Sequence, residues 1–90
     1  MTEFELNAKV KELQENHKII KSAKIITDFD QNNYPVLEVM VKPHEFYRDL
    51  LEMSHDISRI GYMFIDEQKD VEIDTIPGVT TVDIYYFKKC

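Results

Sequence analysis

Apolar residues fall at every second position on both sides of the segment DFDQNNYP, residues 28–35, and this alternation constrains the fold most strongly. Ala23 and Ile25 precede the segment in this phase, and Leu37, Val39 and Val41 follow it. A period of two is typical of a strand with one buried face, and Asp, Asn and Pro favour a chain reversal. The stretch therefore predicts two antiparallel strands joined as a hairpin.

Two other segments have the apolar spacing of an amphipathic helix. In the first, Leu6, Val10 and Leu13 recur at helical spacing and the pattern ends near Asn16 or His17. The second, PHEFYRDLLEMSHDISRIGY, covers residues 43–62, with a proline that suits a first helical turn and Gly61 as a natural stop. Its apolar residues share one predicted core face: Phe46, Leu50, Met53, Ile57 and Ile60.

The remainder of the chain has the composition of strands and turns. YMFID is followed by a predicted turn at EQKD, then by VEIDTI, a Pro77–Gly78 turn and VTTVDIYYFKK. We therefore predict an α+β fold with the order α-β-β-α-β-β-β. Two helices should cover one face of a mostly antiparallel sheet of four or five strands, as a two-layer sandwich. A chain of 90 residues has too little core to divide, so residues 1–90 are expected to form a single domain.

The sheet face away from the helices is also predicted to be apolar. A strand face that meets only solvent alternates more cleanly to polar residues, and a contiguous apolar group often marks an interface. This group supports the hypothesis of a partner or a second copy bound to the outer face. Its predicted members are Ile26, Val36, Met40, Ile76, Tyr85 and Phe87.

Charge narrows the classes of partner. The formal net charge is -6, which argues against direct binding to nucleic acid or to an anionic membrane, since both need a basic footprint. The first residues carry acids where a secretory signal has positive charge, and no window is long and apolar enough to span a membrane, so a cytoplasmic protein is expected. Cys90 is the single cysteine and is interpreted as an exposed thiol.

Two acidic rows are candidate binding surfaces. On the second helix, Glu45, Asp49, Glu52 and Asp56 lie on one flank, and Tyr47 and Leu51 lie away from the core face. On a later predicted strand, Asp70, Glu72 and Asp74 alternate, so they should point to one side with a spacing of roughly 6.6 to 6.8 Å, close to that of nucleic-acid phosphates. Both rows are also compatible with ordinary solvated surfaces.

The sequence gives little support for catalysis or metal binding. Glu52 and His55 are too few ligands for a structural metal site, and DFDQNN lacks the glycine and the glutamate of a calcium loop. Ser54 and His55 are adjacent and so face different ways on a helix. We therefore expect no enzyme activity, cofactor or metal.

The interpretation that these features favour is a small acidic protein-interaction domain. A more specific hypothesis is an inhibitor or immunity-type protein, of the kind phages and mobile elements encode, that blocks the basic surface of a nuclease or another nucleic-acid-handling enzyme. The two alternatives are a homodimeric accessory subunit that uses the free sheet face and a small enzyme whose site is not visible in the sequence. The predicted partner-binding residues are the two acidic rows with Tyr47, Leu51, Tyr85 and Phe87.

Overall fold

The computed structural model describes residues 3–26, 35–43 and 47–90, and these residues contain two helices and four strands. The elements are α1 (Glu3–Asn16), β1 (Ile20–Ile26), β2 (Val36–Val41), α2 (Tyr47–Arg59), β3 (Tyr62–Glu72) and β4 (Thr81–Lys89). This order confirms the predicted α+β class, with four strands in the described part of the chain.

The four strands form one antiparallel sheet in the order β1-β2-β4-β3. Ile25 lies opposite Leu37, and Ala23 lies opposite Val39, so the predicted antiparallel pairing of β1 with β2 is confirmed. The segment between these strands, residues 27–34, lies outside the described residues. Strands β2 and β4 are central, and β1 and β3 form the two edges.

The helices cover one face of the sheet and bury its main core there. Val10 and Leu13 of α1 are buried as predicted, and so are Met53 and Ile57 of α2. These side chains meet Leu37, Val39, Val41, Tyr85 and Phe87 of the central strands in one apolar cluster. Leu50 and Ile60 pack at its margin, while Phe46 of the predicted core face lies outside the described residues.

The opposite face of the sheet carries a second, smaller apolar cluster. Val36, Val82, Ile84 and Tyr86 are buried there, although this face has no helix in the described part of the chain. The loop after β3 contributes Ile73 and Val79, and it is held by a hydrogen bond from Ile73 N to Thr80 O of 2.9 Å. The chain therefore covers part of its own outer face.

The predicted membership of this outer face was partly wrong. Ile26, Val36 and Met40 do lie in the outer cluster, but Tyr85 and Phe87 point to the helix side and are 7% and 1% exposed. Directly opposite residues of an antiparallel pair point to the same face. Val39 lies opposite Tyr85 and Leu37 lies opposite Phe87, so the two aromatic rings share the helix side. Ile76 is half-buried in the loop after β3.

The predicted turn at EQKD, residues 67–70, was also wrong. The chain continues through it as the single strand β3, with irregular pairing between Phe64 and Asp66 and between Gln68 and Val71. Asp70 has a φ of 52°, in the left-handed region that aspartate tolerates better than most residues. A polar run that would suit a turn is accommodated here by bulges in an edge strand.

Two buried tyrosines predict a loss of stability in alkaline solution. Burial raises the pKa of Tyr62, and burial with the nearby charges of Glu38 and Asp66 raises the pKa of Tyr86. Above pH about 10 the phenols of the unfolded chain lose protons while those of the folded chain keep them, so the free energy of unfolding falls as pH rises. Below that pH both states are protonated and the contribution is constant.

Urea unfolding at about pH 9 and about pH 11 should show this fall. In a variant with Tyr62→Phe and Tyr86→Phe, the difference in unfolding free energy between the two pH values should shrink by up to about 1.4 kcal/mol per tyrosine and pH unit. The difference between pH values is the readout, because lost contacts of the hydroxyl groups lower stability at both. An undiminished difference in the variant would contradict the prediction.

Candidate protein-interaction surface

One flank of α2 contacts the residue that follows α1. His17 Nε2 and Asp56 Oδ2 are 2.6 Å apart, and Asp56 Oδ1 is 3.7 Å from Arg59 Nη1. The flank of α2 that carries Asp56 therefore faces α1, while Met53 and Ile57 face the sheet.

The predicted acidic row of α2 lies along this inner flank. Asp49 and Glu52 line a groove with residues 16–19, at the end of α1 and the turn that follows, and Asp49 Oδ1 is 4.0 Å from Arg48 Nε. Glu45 lies outside the described residues. The row thus borders the junction of the two helices, where Asp56 already has a histidine and an arginine as neighbours. Its role as a docking surface remains a prediction.

Tyr47 and Leu51 lie on the other flank of α2. Asp56 follows Tyr47 by nine positions, about two and a half helical turns, so the two side chains leave the helix in opposite directions. The flank away from α1 is the one beside β3, which α2 contacts. Tyr47 is 75% exposed and Leu51 is 50% exposed, which agrees with their predicted position away from the core.

Phe64 of β3 adds a third exposed apolar side chain on this side of the molecule. It pairs with Phe87 across the strands and so points to the helix face. Its ring contacts those of Phe87 and Tyr85, with centroids 5.9 and 6.3 Å apart, yet Phe64 remains 49% exposed. Its inner half thus packs on the core, and the outer half is available to a ligand.

Acidic side chains follow Phe64 along the edge strand β3, on both faces of the sheet. Asp66, Glu67, Asp70 and Glu72 are all exposed on this edge strand, which carries one lysine, Lys69. Asp66 Oδ1 accepts a hydrogen bond of 2.8 Å from Glu67 N, which fixes one carboxylate beside the first bulge. Glu67 pairs with Tyr85 and so shares the helix side with Phe64, whereas Asp66 pairs with Tyr86 and points to the outer face of the sheet. We call Tyr47, Leu51, Phe64 and these four acids along the β3 edge the acidic side.

A cluster of polar side chains holds the second bulge of β3 in place. Asp83 is buried, and its Oδ1 accepts a hydrogen bond of 2.9 Å from Asp70 N. Lys69 Nζ donates to Tyr85 Oη at 2.5 Å and lies 3.7 Å from Asp83 Oδ2 and 3.6 Å from Glu67 Oε2. The hydrogen bond to Tyr85 raises the pKa of Lys69, with burial opposing it. We call Lys69, Asp70, Asp83 and Tyr85 the bulge clamp.

The second predicted acidic row does not form an even ladder. Asp70 lies in the bulge with a positive φ, Glu72 is the last residue of β3, and Asp74 lies beyond the strand. All three side chains are exposed, but the regular two-residue spacing that would imitate phosphates requires one undistorted strand. The geometry expected for the row was therefore wrong, and its part in binding remains a prediction.

Residues of the acidic side that sequence reasoning missed are Phe64, Asp66 and Glu67, and the clamp residues Lys69 and Asp83 were also missed. Asp66 and Glu67 stand within YMFIDEQKD and could have been found by treating that run as one exposed strand.

Among the described residues, histidine, cysteine, aspartate and glutamate form no group of three or more suited to a metal ion.

Comparison of this chain with protein-family models, with curated proteins and with solved structures gave no match. Within the described residues, no helix combines the length and apolar character needed to cross a membrane.

Proposed function

We propose that this chain is a protein-interaction domain whose acidic side binds a basic surface of a partner protein. The observation that carries the proposal is the exposure of three large apolar side chains, Tyr47 and Leu51 on α2 and Phe64 on β3, the strand that α2 contacts and that carries the acids. Exposed aromatic and leucine side chains supply the apolar centre of an interface, and a charged rim steers a partner of opposite charge.

The form of β3 supports binding through side chains. An edge strand offers unpaired backbone groups, but bulges and charged residues make it a poor template for another strand. Strand β3 has two irregularities in its pairing and four exposed acids. A partner would therefore bind its side chains rather than pair with its backbone. The bulge clamp keeps the strand in this distorted form, because it fixes the backbone of Asp70.

The partner surface that we propose is the nucleic-acid-binding surface of an enzyme. Such surfaces are large and basic, and a protein with a net charge of -6 is repelled by nucleic acid but attracted to the site that binds it. In this case the chain acts as an inhibitor that competes with the nucleic acid.

The test starts with affinity capture from a lysate of the source cells, followed by purification of the captured partner. Association of the purified partner with the wild-type chain should slow steeply as salt is raised. Leu51→Ser combined with Phe64→Ser should weaken binding by at least tenfold, mainly through faster dissociation. Asp66→Asn combined with Glu67→Gln should slow association and flatten its salt dependence.

A matched control is available on α1. Glu12→Gln with Glu15→Gln removes the same charge from two exposed positions outside the acidic side, and it should change binding much less. Equal losses in the two charge variants would mean that net charge, and no particular surface, governs binding.

Duplex DNA or RNA added to the complex tests the partner class separately. Release of the chain supports competition for the nucleic-acid surface, whereas a stable ternary complex contradicts that part of the proposal. If light scattering shows the chain alone to be a dimer that Leu51→Ser with Phe64→Ser disrupts, then a second copy occupies the acidic side and the basic partner is wrong.

A further inference from the structure

The opposite edge of the molecule carries a groove of different chemistry. A groove of about 600 Å³ runs between α1 and the edge strand β1. Val10, Ala23 and Ile25 give it an apolar floor, since Val10 is buried and the other two are half-buried at the margin of the main core. Its remaining lining residues are Asn7, Lys11, Gln14 and Lys24.

Strand β1 has a free edge along this groove. In the described sheet its one neighbour is β2, so the backbone groups on its other side have no strand partner among the described residues. Unpaired backbone N–H and C=O groups at a sheet edge can accept an added strand. Ala23 and Ile25, two positions apart on the floor, match the spacing of side chains on such a strand.

The charge of this edge is opposite to that of β3. Lys18, Lys21 and Lys24 are exposed, and the sequence from Lys18 to Ile26 contains no acidic residue. Lys11 adds a positive charge on the helical wall, and no acid lines the groove within the described part of the chain. Lys24 Nζ is 3.7 Å from Glu38 Oε1, and Lys18 borders the groove that Asp49 and Glu52 line, so both charges are partly offset. Lys11 and Lys21 are then the lysines that remain for a ligand at this edge. In a protein of net charge -6, this concentration of lysines selects an acidic ligand.

We propose that the groove between α1 and β1 binds an extended acidic segment of a partner protein, added to the sheet as a strand beside β1. Alternate side chains of the segment lie on Val10, Ala23 and Ile25, while backbone hydrogen bonds to β1 hold its register. The intervening acidic side chains point to the outer face of the sheet, where Lys24 lies, and Lys11 on α1 adds a positive charge at longer range. This site is independent of the acidic side, because it uses the other edge of the sheet.

The test uses a blocked seven-residue peptide of alternating valine and glutamate as the probe, titrated into the isotopically labelled full chain. Chemical-shift changes should concentrate at the amides of residues 22–26 and 7–14, and hydrogen exchange at β1 should slow. A peptide with lysine in place of glutamate should bind at least tenfold more weakly, and so should one with proline at alternate positions, because it cannot donate the backbone hydrogen bonds.

Charge reversal on the helical wall localises the site. Lys11→Glu with Gln14→Glu should weaken binding of the acidic peptide by at least tenfold. Lys88→Glu with Lys89→Glu should leave the affinity nearly unchanged, although it changes the net charge by a similar amount. All four positions are exposed, so both variants should fold, and thermal melts check that they do.

Absence of binding at millimolar peptide would overturn the proposal, and so would shifts confined to β3. If the amides of β1 shift with protein concentration before any peptide is added, the groove takes a second copy of the chain, and the assignment of a separate partner fails.

Discussion

Phe87→Ala should lower the free energy of unfolding by about 3 to 5 kcal/mol, the usual cost of truncating a buried phenylalanine. Phe87 is 1% exposed and lies among Leu37, Met53 and Ile57 in the main core. Its removal leaves a cavity beside the central strand β4, which is paired on both sides, so the surroundings can collapse only partly. For a small domain this is a large share of the total stability.

Phe64→Ala is the matched control, since it removes the same side chain from the neighbouring strand at a position that is 49% exposed. It should cost less than half as much as Phe87→Ala, because only the inner half of the ring packs on Tyr85 and Phe87. Urea denaturation with a constant m-value measures both. A Phe87→Ala variant as stable as the wild type would contradict the core position of Phe87, and equally large losses in both variants would contradict the half-exposed position of Phe64.

Asp83→Ala should lower the free energy of unfolding by about 1.5 to 3 kcal/mol, as expected when a hydrogen bond to a charged, buried acceptor is lost. The carboxylate accepts the backbone N–H of Asp70 at 2.9 Å and lies near the ammonium group of Lys69, so its removal releases the second bulge of β3. Hydrogen exchange should quicken most between Gln68 and Glu72. Binding through the acidic side should also weaken, because the acids at the bulge lose their fixed positions.

Asp83→Asn separates geometry from charge, since the amide oxygen can still accept from Asp70. It should cost less than the alanine variant and keep slow hydrogen exchange at the bulge. Glu72→Ala serves as the control, because it removes an exposed carboxylate from the same region and should change stability by less than about 0.5 kcal/mol. If Asp83→Ala is as mild as Glu72→Ala, the bulge is held by the backbone alone.

The periodic parts of the fold could be predicted from the sequence, whereas the orientation of β4 could not. Ala23 and Ile25 alternate with more polar neighbours, so the sequence predicts which side chains of β1 face the core. In TVDIYYFKK both phases are apolar and both are buried, and the single acid, Asp83, stands in the phase that faces the helices. Burial of that carboxylate depends on the backbone of Asp70, which no local pattern of β4 reveals.

The acidic side depends on neighbours in space that are distant in sequence. Leu51 was correctly placed away from the core by helical geometry, because one helix determines its own faces. Which flank of α2 faces α1 depends on how the two helices pack on the sheet, and the contact between His17 and Asp56 is a result of that packing. The place of β3 at the sheet edge likewise depends on the strand order, which cannot be predicted from the spacing of residues.

The strand order also determines how the chain must fold. The two central strands pair residues that lie almost half the chain apart in sequence: Val41 of β2 pairs with Asp83 of β4. The pairs β1 with β2 and β3 with β4 join strands that are consecutive in sequence, so we expect them to form early, and we expect the central pair, which closes a longer loop, to form later. Until then the inner edges of two half-sheets expose Leu37, Val39 and Phe87 to other chains. Aggregation during synthesis or refolding should therefore compete with the closing of the central pair, and it should grow with protein concentration.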